Sequence, residues 1–363
     1  MSRILLPTPT VKQSRSDVVW DGSDPFSAGP LTDRFGRVHR DLRISVTDRC
    51  SLRCTYCMPA EGVAWLPKAD MLTIDEIVEV ARAACRLGIT QVRLTGGEPL
   101  IRPDIVDIVE RLSHLPTDTG TLRLSVTTNG LMLPGLIDDL KNAGLERINI
   151  SLDTVNAGTY QKLTRRDRFA RAVAGVEAAR DSGLRPLKIN AVAMRGVNDK
   201  ELSDLVSFAI DHDAQMRFIE QMPLDGGHTW NRQKMLTADE ILQELSTRFD
   251  LEPLDGRGSS PAQLYRIDGS DHTVGVIASV TRPFCGDCDR VRLTADGQLR
   301  NCLFARKEQD LRTILRDGEL DENDRQMAIA RVLRGAVAVK KPGHGIDEPG
   351  FIQPDRPMSA IGG

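Results

Sequence analysis

Six short runs rich in β-branched and apolar residues, each followed by a stretch of helical period, limit what this chain can become. They fall at 42–47, 91–95, 122–127, 147–152, 187–194 and 216–221. The stretches between them carry apolar residues three and four apart, as at Ile74, Ile77, Val78, Ala81 and Cys85, the spacing of an amphipathic helix. Cys85 falls on the buried face. Strand–helix–strand repeats need right-handed crossovers and give a parallel sheet. Six units are too few to close an eight-stranded barrel, so the expected fold is α/β, a partial (βα)6 TIM-like barrel. Its active face would lie at the C-terminal ends of the strands.

After about residue 225 the rhythm changes to hairpin-like runs at 265–267, 274–280 and 290–299, the last turning at Asp296-Gly297. Helices around Leu311 and Met327 follow, and 349–363 is rich in Pro and Gly and reads as irregular. Residues 225–363 therefore form a C-terminal α+β extension that covers the open side of a barrel built by 31–224. Residues 1–30, with Pro7, Pro9, Pro25 and Pro30 and little periodicity, read as a flexible arm. Hydrophobic residues make up 40% of the 363, enough for a sizeable core. The 48 Lys and Arg against 51 Asp and Glu argue against a basic nucleic-acid surface. No apolar run approaches the roughly 18 to 20 residues of a bilayer helix, which makes a cytoplasmic location the expectation.

Seven cysteines are too few and too unevenly placed for a disulfide scaffold. Cys50, Cys54 and Cys57 crowd into eight residues directly after the first strand, on the expected active face. Three thiolates there can hold three irons of a [4Fe–4S] cube and leave the fourth open to a non-protein ligand. Zinc fits less well, because His39, the closest histidine, precedes the strand. Cys285, Cys288 and Cys302 form a second set in the extension. On spacing alone, iron–sulfur and a structural zinc with a histidine such as His272 both stay open there. Arg290 and Arg292 alternate along the following strand and so share one face, which suits an anionic substrate. Thr95-Gly96-Gly97-Glu98-Pro99 ends the second strand, where Glu98 can accept from an ammonium group.

The Cys-x-x-x-Cys-x-x-Cys loop with Tyr56 before its last cysteine, followed one unit later by Gly-Gly-Glu, resembles the radical S-adenosylmethionine (SAM) superfamily. The finer pattern is similar to the GTP 3′,8-cyclase family, which begins molybdenum-cofactor biosynthesis. It is carried by Asp33 with Phe35-Gly36-Arg37, by 43–50 (RISVTDRC), Cys57-Met58-Pro59, Thr127-Thr128-Asn129-Gly130, Phe218-Ile219-Glu220, 285–293 (CGDCDRVRL) and the terminal Gly362-Gly363.

That resemblance implies two [4Fe–4S] clusters, the first on Cys50, Cys54 and Cys57 and the second on Cys285, Cys288 and Cys302. It implies a SAM site lined by Tyr56, Gly97, Glu98, Ser151 and Met222, and GTP held by Arg43, Arg93, Thr127, Lys188, Arg290, Val291 and Arg292. Gly362 and Gly363 would reach the active site. The implied reaction is hydrogen abstraction from ribose C3′ by a 5′-deoxyadenosyl radical, then attack on guanine C8. A flavodoxin- or ferredoxin-type electron donor, cyclic pyranopterin monophosphate synthase downstream and a homodimer complete the expected partners, with no membrane or nucleic acid among them.

Overall fold

The structure, a computed structural model, describes residues 23–362. Most of the expected arm, 1–22, and Gly363 lie outside the described residues. The six expected strands form, within a residue or two, as β1 (Asp41–Ser45), β2 (Gln91–Thr95), β3 (Arg123–Thr128), β4 (Arg147–Ser151), β5 (Leu187–Ala193) and β6 (Gln215–Glu220). They pair in parallel in that order.

The crossover helices are α1 (Ile74–Arg86), α2 (Ile105–Ser113), α3 (Ile137–Asn142), α4 (Ala157–Thr164), α5 (Phe169–Asp181) and α6 (Leu202–Asp211). The first of them shows why the chain turns helical where it does. The Thr73 hydroxyl accepts from the Glu76 amide, and the Glu76 carboxylate accepts from the Thr73 amide at 2.7 Å. This reciprocal cap contributes about 1 kcal/mol. The face presented by Ile77, Val78, Ala81, Ala84 and Cys85 is buried against the sheet, so Cys85 packs in the core as its helical phase requires.

The extension does more than cover the open side. Its strands are β7 (Leu251–Pro253), β8 (Gln263–Ile267), β9 (Thr273–Ile277), β10 (Arg290–Leu293), β11 (Gln298–Arg300) and β12 (Gln309–Asp310). Strand β10 pairs parallel with β1, and β9 pairs parallel with β6, giving one twelve-stranded sheet in the order β12-β11-β10-β1-β2-β3-β4-β5-β6-β9-β8-β7. Hairpin patterns alone imply antiparallel neighbours, and those exist too, at β8–β9 and β10–β11. The parallel edges arise because an unclosed barrel leaves two rows of unpaired backbone groups, which the extension satisfies.

The Asp296-Gly297 turn forms as expected, with Gly297 at φ 80°. The remaining helices are α7 (Ala238–Leu245), a short α8 (Arg312–Leu315), α9 (Glu322–Ala338) and a single turn α10 (Met358–Ile361) inside the otherwise irregular tail. Glu220 ties the two halves together: its buried carboxylate accepts from the amides of Ala238, Val280 and Thr281 at 2.7, 2.7 and 2.8 Å. Among the described residues no helix is long and apolar enough to cross a membrane.

Strand alternation then separates two chemistries. Leu42, Ile44, Val92, Leu94, Leu124, Val126, Ile148, Ile150, Ile189 and Phe218 are buried in the apolar core. The alternate positions point the other way, toward the barrel axis, and they are mostly polar or cationic.

Candidate functional site

The inward residues Arg43, Arg93, Thr127, Ser151, Asn190 and Arg217 line a cavity of about 280 Å³ together with Arg290 and Arg292 from β10. The same wall carries Cys50, Cys54 and Cys57. In register, Arg43 stands between Arg93 on one side and Arg292 on the other. Five guanidinium groups thus face one enclosed space.

Asp41 is set among them, 3.6 Å from Arg290 and 3.9 Å from Arg43, and Asp289 faces Arg290, but two carboxylates cannot balance five cations. Burial, and then mutual repulsion, pushes Arg43 down to about 9, Arg292 to about 9, Arg93 to about 10 and Arg217 to about 10. The buried Nε atoms of Arg43 and Arg290 have no hydrogen-bond partner. Buried donors without acceptors are costly, so this surface is built for a ligand with several negative charges.

The opposite end of the cavity is acidic. Glu98 is almost wholly buried and accepts from the Leu100 amide, the Thr128 hydroxyl and the Asn129 amide at 3.1, 2.6 and 2.7 Å. Desolvation still raises it to about 7. Asp153, raised by burial to about 6, accepts from Tyr56 Oη at 2.9 Å and from the Val192 amide at 2.8 Å. An ammonium or sulfonium cation placed beside these carboxylates would stabilise their charged forms.

The cysteine loop is fixed by backbone proximity. A Cβ on Gly97 would stand 2.3 Å from Arg49 O, and one on Gly96, at φ 152°, 2.3 Å from Thr47 O. The bare glycines let Gly97 N and Glu98 N donate to Thr47 O and Arg49 O at 2.8 and 2.7 Å. The absence of side chains on the Gly-Gly pair is therefore used by the chain itself for this close approach. Arg165 Nη1 donates to Arg53 O and Met58 O, clamping the loop from the far side.

Cys285, Cys288 and Cys302 line a smaller cavity of about 70 Å³ that shares Met222, Phe284, Arg290 and Arg292 with the first. The two thiol sets thus line two adjoining cavities that share a wall. Among the described residues no three His, Cys, Asp or Glu side chains converge closely enough to grip a single metal ion. The second set's thiols are nonetheless near one another: burial, and then Cys302 and Cys288, raise the Cys285 thiol to about 11. His272 lies far off in the β8–β9 turn; the histidine beside this set is His344, whose amide donates to Cys285.

Tyr56, Gly97, Glu98, Ser151, Met222, Arg43, Arg93, Thr127, Arg290 and Arg292 all border the main cavity. Two expected contacts do not. Val291 points into the core with no exposed surface, as alternation with Arg290 and Arg292 demands. Lys188 sits below the cavity, at the second residue of β5, where burial and then Arg217, Arg93 and Arg147 push it down to about 7. Gly362, at φ 81°, enters beside Ser45 and Thr95, and its carbonyl accepts from Arg292 at 2.9 Å.

Sequence reasoning missed Arg217, Asn190 and Asp153. Arg217 and Asn190 carry a legible signal, being polar positions alternating with apolar ones along their strands.

Lys188 gives a pH test. Between its depressed value near 7 and its ordinary 10.5 the unfolded chain binds a proton that the folded chain has released, so stability rises with pH there. In the metal-free protein Lys188 is expected to contribute a gain in resistance to urea from pH 7 to 9 of at most about 1.4 kcal/mol per pH unit, read as the difference in slope from Lys188→Met because the raised cysteine thiols act in the opposite direction over the same range. Lys188→Met should flatten that gain, and an unchanged slope in the variant would rule Lys188 out as its source.

Residues 44–209 match the Radical SAM superfamily model and 214–346 the Molybdenum Cofactor Synthesis C model. The chain is 55% identical over 336 residues to a protein of Streptomyces coelicolor named GTP 3′,8-cyclase, covering 92% of this chain and 96% of that one. It is 47% identical, over the whole of both chains, to one so named in Mycolicibacterium smegmatis. Among solved structures, Streptococcus suis SuiB bound to its precursor peptide SuiA overlays with a TM-score of 0.58 at 13% identity, over 85% of this chain and 69% of that one, a likeness of fold. With its cysteine loop, cation-lined barrel and matched C-terminal region, the chain belongs to the GTP 3′,8-cyclase family of radical SAM enzymes.

Proposed function

We propose that this protein converts GTP to (8S)-3′,8-cyclo-7,8-dihydroguanosine 5′-triphosphate, the first step of molybdenum-cofactor biosynthesis. The observation that carries this reading is the ring of five arginines, three buried and two partly buried, sharing one cavity with the Cys50, Cys54 and Cys57 loop. A triphosphate supplies several charges and many acceptor oxygens, matching guanidinium donors that lack partners.

Cys50, Cys54 and Cys57 would hold the SAM-binding [4Fe–4S] cluster and Cys285, Cys288 and Cys302 a second one. When bound, the first cluster and SAM supply a 5′-deoxyadenosyl radical able to take hydrogen from ribose C3′ before C3′ bonds to guanine C8.

The chain's own residues do the rest. Glu98 offers its remaining lone pair to the SAM ammonium, and Tyr56, Gly97, Ser151 and Met222 line that end. Arg43, Arg93, Thr127, Arg217, Arg290 and Arg292 orient GTP, and Lys188, depressed to about 7 without ligand, takes up its proton from below once a polyanion is bound. Gly362 closes the mouth, with Arg292 joining tail and substrate sites. Enclosure keeps water from a reactive carbon radical. A flavodoxin- or ferredoxin-type donor, a homodimer, a cytoplasmic location and a downstream cyclic pyranopterin monophosphate synthase complete the reading.

The test is an anaerobic assay of reconstituted protein with SAM, dithionite and GTP, with ATP as control. 5′-Deoxyadenosine together with a cyclised GTP product is expected. Deoxyadenosine without GTP conversion would leave the superfamily chemistry standing and remove the substrate assignment.

A further inference from the structure

Outside the cavity, the second cysteine set is backed by a buried cation that the proposed reaction does not use. Lys340 follows the C-terminal end of α9 and is 3% exposed. Its Nζ lies 3.0 Å from His39 Nε2, 3.2 Å from Cys288 O, 2.8 Å from Arg290 O and 3.5 Å from Cys288 Sγ. The three shorter contacts can take its three N–H donors, and the sulfur, the fourth and longest neighbour, shares the proton directed at Cys288 O.

Asp33, whose carboxylate lies 4.0 Å from His39 Nε2, is engaged by Arg37 at 2.5 Å. Arg37 in turn donates to Cys285 O and Lys341 O at 2.5 and 2.8 Å, which braces the Asp33–Arg37 turn against both the cysteine loop and the segment after α9. Burial and the neighbouring ammonium hold His39 down to about 4, so it is neutral and serves as an acceptor. Among the described residues no carboxylate lies within ion-pair distance of Lys340. A buried ammonium without a counter-charge is strongly unfavourable, and the anion available to it is the thiolate set of Cys288 and its partners.

We propose that Lys340 is the charged hydrogen-bond donor to Cys288 that raises the reduction potential of the second cluster. This rests on the two-cluster reading above. Reducing an iron–sulfur cluster adds negative charge, and a fixed cation hydrogen-bonded to a ligating sulfur favours that added charge. Lys341, adjacent but exposed, borders the same outer cavity as the three cysteines without a hydrogen bond to their sulfurs, and supplies the same formal charge as the control.

The experiment is an EPR-monitored redox titration of the reconstituted full chain, with iron counted in each sample and the second cluster's signal assigned in a Cys54→Ala background. Lys340→Met is expected to keep about eight irons per chain. At the poise that half-reduces the wild-type second cluster, its reduced-to-oxidised ratio should fall at least about tenfold, equal to about 59 mV for a one-electron couple. Lys341→Met should titrate as wild type. An unmoved midpoint in fully loaded Lys340→Met overturns the proposal. If that variant loses the second cluster, Lys340→Arg decides: a loaded cluster with a near-wild-type midpoint supports the charge role, and renewed loss assigns Lys340 to packing and overturns it. Wild-type protein holding only about four irons would instead refute the second cluster itself, a result separable from any failure of Lys340.

Discussion

A Cys54→Ala variant is expected to fold as the parent does, to hold about four irons rather than about eight, and to form no measurable 5′-deoxyadenosine. The loss of turnover should be at least about a thousandfold, or about 4 kcal/mol of barrier. Folding should survive because the loop owes its shape to backbone contacts. Cys57 N and Met58 N both donate to Cys54 O at 3.0 Å, Arg53 N and Thr55 N donate to Thr164 O and Leu163 O, and Gly97 N and Glu98 N donate to Thr47 O and Arg49 O. None of these uses the Cys54 sulfur. Burial raises the thiols of Cys50, Cys54 and Cys57 well above their ordinary value, so without metal they remain protonated and tolerate one another. Iron and labile-sulfide analysis beside the deoxyadenosine assay checks this. Full iron content with the activity gone would mean that Cys54 is not a cluster ligand.

The second large effect comes from the arginine ring and has two opposite signs. Arg43→Met is expected to weaken GTP binding by about 2–4 kcal/mol, roughly 30- to 1000-fold, because a buried charge-assisted contact to phosphate is lost. The same change should make the unliganded protein harder to unfold. Arg43 is held down to about 9 by burial and by Arg93 and Arg290, and its Nε lacks a partner. The folded state therefore carries an electrostatic penalty that methionine removes while keeping much of the stem's packing. Calorimetric titration with GTP and urea unfolding without it measure the two halves. A variant that loses both affinity and stability would show that Arg43 is structural and that the ring is not kept charged for a ligand.

The two predictions reflect a division of labour in the barrel. One face of each strand supplies the apolar core, and the other supplies a site whose strain is relieved by ligand. Such a trade of stability for binding is what an unfilled polyanion site costs.

Much of this was legible in the chain itself. The period-2 runs and helical spacings located six strands and their crossovers because both repeats are local consequences of backbone geometry. The Cys50, Cys54 and Cys57 spacing and the Arg290–Arg292 alternation located chemistry for the same reason: each compact motif brings its own residues together. Val291 shows the limit of treating a motif as a block. Its neighbours reach the cavity, and strand pleating turns it into the core.

What the tertiary structure alone decided are contacts between residues far apart in sequence. Local periodicity carries no information about which edge a later strand will join. The parallel docking of β10 on β1, which sets Arg292 beside Arg43, could not be read from hairpin patterns. The same holds for Arg292 gripping Gly362 O seventy residues away, and for Lys340 reaching Cys288 and His39. The sequence by itself determined the strands, helices and thiol sets, whose geometry is local. Only the folded sheet determined which charges must share a buried space, because that depends on the pairing that satisfies the open edges of an incomplete barrel.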